Sequence, residues 1–430
     1  MTADTPPPRS DRRRLLGNMA SLFSLQGANY LLPLVTLPYL VRVLGPEKFG
    51  LIAFAQAFVQ YFVVATDYGF NLSATREVAV HRGNSTRLGE IVSAVMSVKI
   101  ALALAGALVL GAIVLTIPTF QAHYSLFLVV YLTVVGATLF PTWLFLGLER
   151  MRDITWINMG ARLLTTIAIF VFIHDPQDYV IAAGIQSVPV LLASVPAWFV
   201  LHRRTKLLWS IPPLTSIVEQ IKNGYHLFLS TIGVNIYTTS NIVILGFISG
   251  PSAVGFFSPV YKIVLAIFGL LTPITQTLYP HISVLARESR ADAISFIDKL
   301  LKPVALTGIL TSLGIYFYSP SVVHFILGPD YIPSIPILKA FSLIPFAVAV
   351  SNILGTLTML PLGMSKSFTK ILLISAILNI ALVIPFTYFI GGVGTASAMV
   401  LTEYFVTISM WVVLRADGVR FRLLRAEIKQ

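Results

Sequence analysis

The chain contains no cysteine, which excludes disulfides and thiolate metal sites. It is also poor in charge. Asp, Glu, Lys and Arg make up 11% of its residues, against roughly 25% in a soluble domain, so water is not its main solvent. It has no Walker-type phosphate loop, no zinc-type His/Glu cluster and no nucleophile motif, and its seven histidines are dispersed. ATP-driven work and enzymatic chemistry therefore lack their usual machinery here, and no cofactor or resident metal is expected. Strand-period alternation is absent, which argues against a membrane barrel. The basic opening TPPPRSDRRRLLGN has a faint twin-arginine look. No small-residue cleavage site follows it, and the next apolar stretch is too long for a signal-peptide core. It reads as a short basic tail, 1–17.

What is abundant is apolar sequence, 56% of the chain. Tracts of about 20 residues recur from near Met19 to near Leu414, each long enough to cross a ~30 Å hydrocarbon core as a helix. Twelve spans are expected, near 18–41, 50–72, 89–116, 123–147, 154–173, 179–201, 222–248, 253–283, 294–318, 334–359, 368–390 and 392–414. Net charge is +12, yet the basic residues sit in short loops between spans, where membrane topology puts them, so a nucleic-acid partner is rejected. On this map 24 of the 30 basic residues share the face of the two termini, and only Arg42, Lys48 and Lys339 lie on the other. That bias places both termini in the cytoplasm.

The tract LGPEKFG at Leu44–Gly50 returns as ISGPSAVG at Ile248–Gly255, with Gly45, Pro46 and Gly50 falling on Gly250, Pro251 and Gly255 at one constant offset. Asn18, Leu22 and Phe23 match Asn223, Leu227 and Phe228 at the same offset. The expected fold is an all-α polytopic membrane protein duplicated in parallel. Its lobes, 18–201 and 222–414, are two pseudo-symmetric six-helix bundles flanking a central cavity, joined by a cytoplasmic linker, 202–221, and closed by a basic tail, 415–430. Duplicated membrane proteins of this kind are most often transporters. The glycine–proline tracts supply tight turns, and their repetition pairs them near an outer gate.

The run YLVRVLGPEKFGLIAFAQAFVQYFVVATDYGFNLSATREVA, Tyr39–Ala79, resembles the polysaccharide-biosynthesis flippase family, as does GPSAVGFFSPVYKIVLAIFGLLTPITQTLYPHIS, Gly250–Ser283. These are Wzx-type transporters within the multidrug/oligosaccharidyl-lipid/polysaccharide exporter superfamily. The resemblance implies a two-bundle, alternating-access transporter of the bacterial inner membrane. Its substrate would be an undecaprenyl-diphosphate-linked oligosaccharide turned from the inner to the outer leaflet. Coupling to protons or Na+ and partnership with membrane lipids, a polysaccharide polymerase and a chain-length regulator follow from the same likeness.

A charge at the centre of a membrane helix costs about 2.5–3.5 kcal/mol on insertion scales, so such residues tend to face a cavity or a partner. The candidates are Lys99, Arg162 and Lys262, with Arg42 at the edge of the first span, and the carboxylates Asp67 and Glu403. Cations outnumber carboxylates, which suits an anionic diphosphate or acidic sugar bound by Lys99, Arg162, Lys262 and Arg42. The competing roles are snorkelling for Lys99 and a pair with Asp153 for Arg162. Asp67 and Glu403 either exchange the coupling ion or bridge to Arg42, Arg162 or Lys262. Tyr30, Tyr61, Tyr68, Tyr237 and Tyr261 are candidate sugar-stacking rings, and Asn29, Asn235 and Asn241 candidate partners of sugar hydroxyls. A net basic cavity disfavours a cationic-drug exporter of the same superfamily. Short outer loops, charged only at Asp175 and Asp178, disfavour a polysaccharide polymerase or ligase.

Overall fold

The computed structural model describes the backbone of residues 9–205, 211–269, 272–419 and 421, and the side chains of these except 9–31, 204, 226, 230–238 and 272–273. The described residues form helices and no strand. In chain order the helices are α1 (Arg9–Asp67), α2 (Phe70–His81), α3 (Ser85–Thr116), α4 (Pro118–Gln121), α5 (Tyr124–Leu139), α6 (Thr142–Gly147) and α7 (Met151–Phe172). They continue as α8 (Tyr179–Thr205), α9 (Leu214–Gly269), α10 (Thr272–Glu288), α11 (Arg290–Val322), α12 (Ile335–Phe341), α13 (Ile344–Leu354) and α14 (Ser365–Ala416).

Nine stretches among the described residues are long and apolar enough to cross a membrane. Three of them, Leu32–His81, Thr239–Glu288 and Ser365–Ala416, run for 50, 50 and 52 residues. Fifty helical residues would extend about 75 Å, more than twice a ~30 Å core, so each of these stretches must turn back. Each contains a sharp break at a glycine inside a helix: Gly45 (φ 69°, ψ 172°), Gly250 (φ 81°, ψ 177°) and Gly391 (φ 57°, ψ −135°). The first two sit in a backbone region essentially closed to residues with a Cβ. Divided at these breaks, the nine stretches supply twelve crossings, as expected. The turns are tighter than the sequence implies, because helix resumes directly at Pro46 and Pro251. Leu104, Leu108 and Leu115 of α3 are exposed, an apolar face of the kind a bilayer covers.

The chain falls into two compact units, one of them Tyr39–Ser258 and the other running from Pro259 onward with the residues before Tyr39. In the first unit α9 packs antiparallel along α1. Phe54 meets Phe247 edge-on with centroids 5.3 Å apart, and Gly246 makes room for it, since a Cβ there would lie 2.2 Å from the Phe54 ring. Farther along, the Tyr61 hydroxyl and Ser240 Oγ are 2.8 Å apart, and Tyr68 stacks on Phe228 at 4.5 Å. An apolar core of Phe70, Val78, Leu88, Trp143 and Phe145 ties α2, α3 and α6 together.

In the second unit, the two segments of α14 fold back on each other about Gly391. Thr387 and Thr395 hydroxyls lie 2.8 Å apart, and Asn379 donates to Thr402 at 3.3 Å. A Cβ on Gly394 would fall 1.9 Å from the Phe386 carbonyl oxygen, so glycine permits the turn. Ile282, Ile297, Leu301, Ile353 and Leu357 form one core of this unit; Leu354, Met359, Met410 and Leu414 form another.

Candidate functional site

Proline at position 141 shapes the polar site of the first unit. A proline has no N–H to donate to the carbonyl four residues before it, here that of Ala137 on the last turn of α5. The freed oxygen accepts a hydrogen bond from Lys99 Nζ of α3 at 3.2 Å. A cation at the negative end of a helix is favourably placed. The same ammonium lies 3.9 Å from Asp67 Oδ1. Asp67 is the last residue of α1, where the backbone turns through positive φ at Tyr68 (47°) and Gly69 (75°). Asn71, one turn on, donates to Asp67 at 2.8 Å.

These groups line a chamber of about 390 Å³ with Gln60, Thr142 and Asn158 among its other polar walls and Val63, Val64, Phe140 and Val190 among its apolar ones. Lys99 is 3% exposed, so it does not snorkel to an interface. Asp67 pairs with Lys99, and Asp153 pairs with Arg150 at 3.8 Å. A buried ammonium and a half-buried carboxylate that hold each other, with a hydrogen bond on each, make intramembrane charge tolerable.

The remaining candidates are dispersed. Arg162 is exposed on α7, one turn from Asn158, and Arg42 is exposed just before the Gly45 break. Lys262 lies about 18 Å past the Gly250 break by helix rise and, like Glu403 of α14, is half-buried in the second unit. Tyr261 there stacks on Phe341 at 5.8 Å. Tyr61 and Tyr68 are engaged in helix packing, and Asn241 is buried. The side chains of Asn29, Tyr30, Asn235 and Tyr237 lie outside the described residues.

The duplicated glycine tracts meet. A Cβ on Gly50 would lie 1.9 Å from the Pro251 carbonyl oxygen, and one on Gly255 would lie 1.8 Å from that of Pro46. Gly50 is the counterpart of Gly255 and Pro46 of Pro251, so the contact is reciprocal, as a local twofold demands. Gly45 and Gly250 make the breaks that allow it. At the other end of the same helix pair is a cluster the sequence reading did not single out. Glu77 of α2 accepts hydrogen bonds from Gln220 at 2.6 Å and Asn223 at 2.7 Å. Arg87 reaches Glu90 at 3.0 Å and Glu219 at 3.5 Å. Its one sequence signal was Asn223, which belongs to the repeat.

The family model for polysaccharide biosynthesis proteins matches residues 15–286. The "Putative O-antigen transporter" of Escherichia coli (strain K12) is 34% identical over 406 residues, 94% of this chain and 98% of that protein. A protein of the same name from Shigella dysenteriae is 30% identical over 91% of this chain and 98% of its own length. Among solved structures, the lipid II flippase MurJ in an inward closed conformation superposes with a TM-score of 0.72 at 14% identity, covering 91% of this chain and 87% of MurJ. An inward-facing multidrug resistance MATE family transporter of the MOP superfamily gives 0.70 at 14% identity, covering 90% and 95%. At that identity the structures establish the fold: a polytopic helical membrane protein of the MurJ and MATE type. With more than half of the chain matched by the family model and near-complete relatives at 30% identity or above, the chain belongs to the polysaccharide biosynthesis protein family.

Proposed function

We propose that this chain is a transporter, not an enzyme. In this reading it carries a lipid-linked oligosaccharide on a polyprenyl diphosphate from the inner to the outer leaflet of the bacterial inner membrane by alternating access. Lobes 18–201 and 222–414 flank the path, and both termini are cytoplasmic. Lipids of that membrane surround it, and a polymerase and chain-length regulator take the product onward. The observation that carries the reading is the buried Lys99 in a polar chamber inside an otherwise apolar helical unit. A chamber of that polarity at membrane depth serves a polar passenger. The relatives named for O-antigen transport support the choice of a glycan lipid.

Lys99, Arg162, Lys262 and Arg42 are the cations that meet the diphosphate or acidic sugars along the path. Asp67 and Glu403 exchange the coupling ion, proton or Na+. Gly45, Pro46, Gly50 and their counterparts Gly250, Pro251 and Gly255 fix the outer turns. The test is translocation of a fluorescent lipid-linked oligosaccharide in proteoliposomes of the full chain. Lys99→Met is expected to slow transport by about tenfold or more, through loss of a charge-assisted contact to the substrate head worth about 1.5–3 kcal/mol. Lys99→Arg retains the charge and is expected to recover part of the rate. Equal rates in wild type and Lys99→Met, at matched protein levels, would remove the chamber from the path. Transport by Asp67→Asn that no longer responds to a pH or Na+ gradient would assign coupling to Asp67.

A further inference from the structure

Next to the polar chamber, a groove of about 960 Å³ runs between α5, α7 and α8. Its lining includes the small residues Gly160, Ala161, Ala168 and Gly184 and the exposed side chains of Trp156, Ile181 and Leu192. Thr165 is the one lining residue with a polar side chain beside the indole of Trp156. On α8 the lining reaches from Val180 to Pro196, which is about 24 Å of helix and most of the thickness of a ~30 Å hydrocarbon core.

The groove and the chamber share a wall. On α7, Ile157 lines the groove and its neighbour Asn158 lines the chamber; on α8, Pro189 lines the groove and Val190 the chamber. Small residues on membrane helices usually let backbones close on one another. Here that occurs at Gly136, where a Cβ would sit 2.7 Å from the Leu191 nitrogen, but not at Gly160, which has nothing within 4 Å of its would-be Cβ. The α5–α8 contact is thus closed at Gly136, while the surface at Gly160 of α7 is open.

We infer that this groove seats the polyprenyl chain of a lipid-linked diphosphate whose head occupies the adjoining chamber. The inference rests on the transport reading above and adds where the tail goes. Depth selects the occupant. Lys99 lies 14 residues into α3, about 21 Å along the helix, far from either end. A phospholipid keeps its phosphate at the interface, so its head does not reach that ammonium. A lipid in transit has left the interface and brings head and chain to this depth together. The head finds Lys99, Asn71 and Asn158; the chain finds an apolar slot directly alongside.

The test uses the full chain in detergent and measures binding of undecaprenyl diphosphate, of inorganic diphosphate as the head without a chain, and of phosphatidylglycerol. Gly160→Leu fills the groove from a position with open space, and Leu192→Trp crowds it from the rim. Both are expected to weaken undecaprenyl diphosphate about tenfold, through the many small dispersion contacts a displaced chain segment forfeits, with inorganic diphosphate binding and melting temperature unchanged. Lys99→Gln is expected to weaken both diphosphates. If both groove variants bind undecaprenyl diphosphate as wild type does while Lys99→Gln weakens it, the groove assignment falls and the transport reading stands. If phosphatidylglycerol competes on equal terms with undecaprenyl diphosphate, the groove is a seat for ordinary lipid and the assignment falls. If wild type binds neither diphosphate, the transport reading falls with it.

Discussion

The two ends of the α1–α9 pair hold the repeats together by opposite means. At the Gly45 end the contact is backbone on backbone: Gly50 against the Pro251 carbonyl and Gly255 against that of Pro46, with no room for a methyl group. At the Glu77 end it is made by side chains: one carboxylate between two amides, an arginine between two glutamates, and a stacked ring pair. The helix from Pro46 to Asp67 separates these ends by about 30 Å. Backbone contacts of this kind are all-or-none, because a close-packed interface does not deform continuously. Hydrogen-bonded side chains at a partly solvated end can exchange protein partners for water at modest net cost. On this contrast we expect the Gly45 end to be the fixed end of the pair and the Glu77 end the one that parts more readily.

The strongest way to break this contrast is Gly50→Ala. Its added methyl group has only a backbone oxygen to meet, so relief requires helix displacement, with an expected cost of about 3 kcal/mol. Thermal melting of the purified protein should drop sharply. Gly255→Ala should do the same, and the double variant should cost less than the two singles together, because both load one interface. Wild-type melting in either single variant would show that the contact yields.

A smaller effect is expected from Glu77→Ala. It strands the amides of Gln220 and Asn223. Gln220 is 1% exposed, and its Oε1 already has no partner among the described groups. The expected loss is about 2 kcal/mol. The lack of native cysteine makes the location of the change readable. A single cysteine at Leu227, beside Gly69, should label faster with a thiol reagent when Glu77 is replaced. One at Val254, fully buried at the other end, should label at an unchanged rate. Equal acceleration at both sites would mean that the ends open together.

The spans were legible in the sequence because membrane length and hydropathy are local properties. The break at Gly391 falls between spans expected at 368–390 and 392–414. The meeting of the glycine tracts was legible through their repetition, although their reciprocity needed coordinates. The site was less legible. Asp67 and Lys99 each stood out as an intramembrane charge, but nothing in the sequence paired them with each other. The clue was Pro141, which by lacking an N–H frees a carbonyl but does not show in sequence which side chain takes it. Only the packing of α3 on α5 shows that the carbonyl it frees is the one Lys99 takes. Glu77 was hidden for a different reason. It lies in a charged connecting segment where carboxylates are common, and its partners are more than 140 residues away along the chain.

The finest test concerns a titratable group at the fixed end. His123, between α4 and α5, has no partner for its Nδ1 among the described groups. Its ring lies 6.4 Å from that of Tyr179, over which Lys48 also sits at 5.2 Å. Burial pushes the His123 pKa down from its ordinary value, the Lys48 charge adds to that, and Glu47 opposes it. The folded state therefore prefers the neutral ring more than the unfolded chain does. The resulting stability is present in full above the unfolded pKa of about 6.5 and is lost as pH falls through the lower folded value. Melting temperature should decline as pH falls from neutrality through the unfolded value of about 6.5, and His123→Gln should flatten that decline without changing the labelling of a cysteine at Leu227. A decline of the same size in His123→Gln would place the titrating group elsewhere. A change in Leu227 labelling would mean that the backbone contact transmits charge at one end into opening at the other, and the division between a fixed end and a parting end would no longer hold.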